Sequence, residues 1–281
     1  MPTPLVPLVS CSWLLKHLED DNLIVLDASV DTPGANSSPG DSAGIIPGAR
    51  RFDYSTDFCD PDSPLPSTMP DQPLFNSRAR ALGLNNDSHI VVYDNQGIFS
   101  APRAWWMLRS MGHNRVQVLD GGLPAWLASG GGTVSSHTQP AVEGNFEGSF
   151  DPAAFCGLDS VLDATRNPAV RIVDARGAGR FSGAVPESRP GLRAGHIPGS
   201  VNLPYQSLLA DGCLLPIPVL KEKLTAAMGE SEQSIFSCGS GVTACVLALA
   251  ASLCGQHNFT VYDGSWTEWG GREDLPIATG D

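Results

Sequence analysis

A cysteine that follows an apolar run and precedes two glycines is the residue in this chain best placed to do chemistry. In Ser234-Ile235-Phe236-Ser237-Cys238-Gly239-Ser240-Gly241-Val242-Thr243-Ala244, Cys238 stands where a strand ends and a helix is about to start. Glycines let the backbone curl so that successive N–H groups face a sulfur, and a helix amino terminus adds partial positive charge. Both favour the thiolate, the nucleophilic form of cysteine. Cys245 and Cys254 fall on the apolar helix that follows and read as small buried hydrophobes.

Two other chemistries use similar loops. A cysteine phosphatase places an arginine six positions after its cysteine to grip phosphate, and that position is Ala244. The run Gly239-x-Gly241-x-x-Ala244, followed later by Asp263, has the outline of a dinucleotide-binding turn. Only 18 residues follow Asp263, too few for the rest of a mononucleotide-binding half.

The elements that must hold this loop occur twice in the chain. Ile24-Val25-Leu26-Asp27-Ala28 matches Ile172-Val173-Asp174-Ala175-Arg176, and Gly44-Ile45-Ile46-Pro47-Gly48-Ala49 matches Gly195-His196-Ile197-Pro198-Gly199-Ser200. Further on, Ile90-Val91-Val92-Tyr93-Asp94 matches Ile235-Phe236-Ser237-Cys238. Val118-Leu119-Asp120-Gly121-Gly122 with Trp126 matches Val261-Tyr262-Asp263-Gly264-Ser265 with Trp269. A repeat of this length means two tandem domains. We expect a first domain over 1–130, a Gly/Ser/Thr-rich linker over 131–149 and a second domain over 150–281. Within each copy short strands alternate with helices, such as Ser100–Met111 before Gly112 and Val242–Cys254 before Gly255. This predicts an α/β fold with a parallel sheet flanked by helices in each domain. Trp105 and Trp106 read as packing residues rather than ligand platforms. Asp94 occupies the cysteine position of the first copy, which points to one active and one supporting domain, although a module without chemistry remains an alternative.

At 281 residues and 42% hydrophobic, the chain can bury a substantial core. Its net charge of −13 disfavours nucleic acid and anionic membrane surfaces as partners. No apolar run reaches the roughly 18 residues that a membrane span needs, and the amino terminus has neither the basic region nor the cleavage site of a signal peptide. The seven cysteines are odd in number and lack metal-ligand spacing, so no disulfide framework or metal is expected, and a reducing compartment fits. Against this acidic background residues 171–196 carry Arg171, Arg176, Arg180, Arg189 and Arg193 with only Asp174 and Glu187. Such a basic island would steer an anionic substrate.

Taken together these features resemble the rhodanese superfamily, and Cys238-Gly239-Ser240-Gly241-Val242-Thr243 is similar to the loop of the 3-mercaptopyruvate sulfurtransferases. The likeness runs from Leu26-Asp27-Ala28 through Ser100-Ala101-Pro102-Arg103-Ala104-Trp105-Trp106 to Asp263-Gly264-Ser265-Trp266-Thr267-Glu268-Trp269. It implies a sulfurtransferase that forms a persulfide on Cys238, with Ser240 as a catalytic partner, and with Arg180, Arg189, Gly239, Gly241, Val242 and Thr243 binding substrate. Thiosulfate-preferring relatives carry basic residues after the cysteine, whereas Gly239, Ser240 and Gly241 are neutral, which implies 3-mercaptopyruvate as donor and thiosulfate as the alternative. The resemblance also implies a thioredoxin, small-thiol or cyanide acceptor, no cofactor, and a cytoplasmic or else mitochondrial location. By residue type alone, Arg180 and Arg189 equally suit a solvated loop, one of them paired with Glu187. The family's usual first-domain histidine is matched to Ile45, so a serine–histidine–aspartate relay is not assumed. His196, its repeat in the second copy, need not face Cys238, and Asp41, water and the substrate itself are the alternatives for completing a proton path.

Overall fold

The computed structural model describes residues 5–30 and 44–280. Asp41 therefore lies outside the described residues. The chain divides into two compact units. The first comprises residues up to Cys59, Pro70–Phe150 and Asp211–Leu214; the second comprises Asp60–Met69, Asp151–Ala210 and Leu215–Asp281.

The first unit opens with β1 (Leu8–Val9), α1 (Cys11–His17), β2 (Leu23–Asp27) and β3 (Arg50–Arg51). It continues with α2 (Gln72–Ala81), β4 (His89–Tyr93), α3 (Ala101–Ser110), β5 (Val116–Leu119) and α4 (Gly122–Ala128). Its sheet is parallel throughout, in the order β1-β5-β4-β2-β3. Side-chain caps start α1 and α2, where Ser10 accepts the Trp13 N–H and Asp71 accepts the Leu74 N–H. Caps of this kind contribute about 1 kcal/mol each. α3 buries Ala101, Ala104, Trp105, Met107 and Leu108, so Trp105 belongs to the interior, while Trp106 is half-buried.

The second unit contains β6 (Phe155–Cys156), α5 (Leu158–Ala164), β7 (Val170–Asp174), α6 (Ala178–Ser182) and β8 (Val201–Asn202). A 3-10 turn (Tyr205–Leu208) and two short strands follow, β9 (Leu209–Ala210) and β10 (Cys213–Leu214), the latter counted with the first unit. The unit ends with α7 (Ile217–Met228), β11 (Gln233–Ser237), α8 (Ala244–Leu253), β12 (Phe259–Tyr262) and α9 (Ser265–Trp269). Its parallel sheet has the order β6-β12-β11-β7-β8, the same as the first under the repeat. Every residue from Ala244 to Ala251 in α8 is buried, which explains its unbroken apolar sequence. Cys245 lies within this buried stretch and Cys254, past the helix end, is half-buried.

The α/β class and parallel sheets expected from strand–helix alternation are those observed. Residues 131–149, read from composition as a linker, run along the first unit. Val134 pairs with Ile45, and the N–H groups of Thr138, Gly144, Phe146 and Ser149 donate to Ala49, Arg80, Leu84 and Met111. These bonds go to turns and helix ends rather than to a regular ladder, so no periodicity marks them in the sequence. Equivalent carboxylates also hold the two transferred segments: Asp120 accepts the Leu214 N–H at 3.0 Å in the first unit, and Asp263 accepts the Met69 N–H at 2.8 Å in the second.

Candidate active site

In a parallel α/β sheet, ligands gather beyond the carboxyl ends of the central strands. In the second unit β7 and β11 end in register at Asp174 and Ser237. Cys238 is the next residue, and the loop through Thr243 leads into α8. The sequence extends the helix back to Val242. The structure starts it at Ala244, because Val242 and Thr243 are spent on the loop.

Cys238 is 1% exposed. Its surroundings are nevertheless polar. The Ser265 hydroxyl lies 4.0 Å from Cys238 Sγ, donates to the Tyr262 carbonyl at 2.8 Å, and accepts the N–H groups of Cys238 (3.1 Å) and Gly241 (3.0 Å). One oxygen thus ties the two ends of the cysteine turn. Ser265 has φ of 49°, a left-handed conformation that costs a non-glycine residue roughly 1–2 kcal/mol. The Trp266 and Thr267 N–H groups donate to the carbonyls of Cys238 and Gly239, fixing the loop from the same side. The N–H groups of Gly239, Ser240, Val242, Thr243 and Ala244 find no acceptor among the described residues. Gly241 therefore serves the loop's shape through Ser265, whereas its neighbours keep their donors available. Cys245 donates its thiol proton to the Gly241 carbonyl at 3.3 Å, inside the protein.

The structure brings both named arginines to this loop. Arg189, exposed, reaches Ser240 Oγ at 3.4 Å and Thr267 Oγ1 at 3.3 Å. Arg180 Nη2 comes within 3.1 Å of the point where a Cβ on Gly239 would stand, so a larger residue there would press on the guanidinium. Arg180 is also paired with Glu187, so of the two arginines either of which could have taken that partner it is Arg180 that does. The other Glu187 oxygen accepts Arg176 Nη1 at 2.7 Å, and Arg176 is held by Asp174 and the Gly195 carbonyl and lies 4.3 Å over the Trp266 ring. Burial works against the Arg176 charge, but Asp174 and Glu187 outweigh it and hold the guanidinium above the ordinary arginine range. Arg193 is spent on the carbonyls of Trp269, Gly270, Arg272 and Leu275. The basic island read from sequence thus resolves into Arg180 and Arg189 at the loop and Arg176 and Arg193 held by carboxylates and carbonyls.

Both turn positions are committed to packing. His196 is buried, stacked on Phe181 at 3.8 Å and bonded to the Phe181 carbonyl, and Ile45 packs on the first unit's core. Ser265, Thr267 and Glu187 were not named as site residues from sequence. The one available signal was the pair Gly121-Gly122 against Gly264-Ser265, where a glycine that adopts φ of 53° is replaced by serine.

The first unit has the same loop with different contents. Asp94 is fully buried, and its carboxylate accepts the N–H groups of Gln96, Phe99, Ser100 and Ala101, each at 2.9 Å. Burial pushes this carboxyl above the ordinary range, against the pull of those four donors. Ala101 and Ala244 each open a helix, so Phe99, Ser100 and Ala101 correspond to Val242, Thr243 and Ala244. The loop is an anion cradle that the first copy fills with its own side chain.

Comparison with known proteins gives a consistent picture. The family described as "Rhodanese-like domain" matches residues 10–129 and 158–272. The 3-mercaptopyruvate sulfurtransferase of Escherichia coli K12 is 41% identical over 278 residues, covering 96% of each chain. The mitochondrial thiosulfate/3-mercaptopyruvate sulfurtransferase 1 of Arabidopsis thaliana is 39% identical, over 96% of this chain and 78% of its own. The crystal structure of SseA, an Escherichia coli 3-mercaptopyruvate sulfotransferase, superimposes with a TM-score of 0.82 and 37% identity, over 93% of this chain and 99% of that one.

Proposed function

The chain belongs to the rhodanese family, and on that premise we propose that it is a sulfurtransferase moving sulfur from 3-mercaptopyruvate through a persulfide on Cys238. The observation that carries the reading is the contrast of cradles. Val242, Thr243 and Ala244 offer N–H groups without an acceptor among the described residues, next to a cysteine, where the first copy offers the same groups to a carboxylate.

The Cys238 thiolate attacks the donor's sulfur, forming an S–S bond as the carbon–sulfur bond breaks. The electron pair goes to carbon, and pyruvate leaves as its enolate, which takes up the proton of the donor thiol. Arg180 and Arg189 bind the α-keto acid, since a planar guanidinium matches a carboxylate fork. As charge grows on the leaving group they stabilise it, an effect typically worth about 3 kcal/mol per preorganised donor. Ser240, which Arg189 reaches at 3.4 Å, hydrogen-bonds the donor in this reading. Burial of Cys238 keeps bulk water from the persulfide, and a thiol (thioredoxin or a small thiol), or cyanide in an assay, then takes the outer sulfur. None of these steps uses a metal or an organic cofactor.

The second reading, thiosulfate as donor, is favoured by the paired arginines and by the Arabidopsis relative named for both substrates. Comparing kcat/KM for the two donors, with mass spectrometry of the intact protein after donor alone, tests the proposal. A protein that gains one sulfur atom and prefers 3-mercaptopyruvate supports it; a protein that gains none from either donor defeats it.

A further inference from the structure

The charges around the Cys238 loop are arranged in a line. Asp174, Arg176, Glu187 and Arg180 form a continuous series of ion pairs, and their formal charges cancel. Glu187 sits at its centre with a side chain only 1% exposed, both oxygens held by guanidinium groups, while Arg180 remains 32% exposed beside Gly239. Arg189 differs, because its partners at the loop are the hydroxyls of Ser240 and Thr267. On the other side of Ser265, Asp263 accepts the Met69 N–H and Glu268 accepts the Tyr262 hydroxyl. Among the described residues the loop thus has two guanidinium forks, of which Arg180 has a carboxylate partner and Arg189 has only hydroxyl partners.

We propose that Glu187 is a specificity-determining residue: by cancelling the charge of Arg180 it matches the site to a donor with one negative charge and disfavours one with two. The proposal rests on the donor reading above and deepens it. 3-Mercaptopyruvate carries a single carboxylate, whereas thiosulfate is a dianion. Hydrogen-bond donors for an α-keto acid are retained in Arg180, since a paired guanidinium keeps other N–H groups to give. Attraction for a second charge is removed, because charges at such short range in a half-buried site are poorly screened. Specificity here comes from withholding charge as much as from supplying contacts.

The test measures kcat/KM for both donors in the wild type, Glu187→Gln and Arg180→Gln, at low and high salt. Glu187→Gln frees a positive charge, and the thiosulfate-to-mercaptopyruvate ratio should rise about tenfold or more, with a steeper loss of thiosulfate turnover in salt. Arg180→Gln should move the ratio the opposite way by a similar factor. A residue with only a structural role would depress both donors together. If Glu187→Gln does not fold, Arg180→Gln and the salt dependence decide the matter alone. Ratios that stay within about twofold of wild type, or that shift in one direction for both variants, overturn the proposal. A wild type active on 3-mercaptopyruvate with unmoved ratios overturns this inference alone. A wild type inactive on both donors overturns the donor reading and this inference together.

Discussion

The loop from Asp94 to Ser100 and the loop from Cys238 to Thr243 are built on the same sheet position and end in the same helix start. One is closed and the other poised. Asp94 satisfies its own amides, so the first loop carries its own acceptor. Cys238 leaves the corresponding amides without an acceptor among the described residues, and Ser265, Trp266 and Thr267 bind the loop from outside. Both loops share one outside strut, since Leu123 donates to the Asp94 carbonyl as Trp266 does to that of Cys238, and the Ser265 hydroxyl is what the cysteine loop adds.

The comparison can be broken most decisively at the sulfur. Cys238→Ser should abolish the persulfide and lower kcat/KM by roughly 10⁴-fold or more, as loss of a nucleophile does. Cys245→Ser should leave the persulfide intact, and a sulfur adduct surviving in the first variant would reassign the site. Next in size, Arg189→Ala should lower kcat/KM for 3-mercaptopyruvate about 100-fold, chiefly by raising KM, and unchanged kinetics would remove that residue. In the closed loop, Asp94→Ala leaves four N–H groups without their acceptor and should cost about 3 kcal/mol, read as a fall in the denaturation midpoint without loss of persulfide formation.

Exchanging the struts sharpens the contrast. Ser265→Gly relieves backbone strain but strands the Cys238 and Gly241 N–H groups, and should reduce kcat/KM about tenfold with little change in stability. Gly122→Ser should destabilise the first unit by about 2 kcal/mol, since its Cβ would meet the Asp94 and Gly97 carbonyls at 2.4 and 2.5 Å. Smallest at neutral pH is the labelling of Cys156. Burial pushes its thiol up to about 12. Its alkylation rate should therefore be negligible at neutral pH and rise about tenfold per pH unit until that value, because only the thiolate reacts. Fast labelling of Cys156 at pH 7 would contradict its placement.

Much of this was legible in the residues. Apolar runs ending in Asp27, Asp94, Asp174 and Cys238, repeated in order, specify two parallel sheets, because strand and helix periodicities are local properties of the chain. The Cys-Gly-Ser-Gly loop marked the proposed nucleophile for the same reason: glycine and strand-end signals act over a few residues. Pairings between distant positions left no such mark. The bridge from Glu187 to Arg176, Ser265 beneath Cys238, His196 turned toward Phe181, and the return of residues 134–149 along the first unit all depend on which loops meet after the sheets form. A carboxylate's partner, or a hydroxyl's, is chosen by proximity and burial in three dimensions, and only the folded chain decides those.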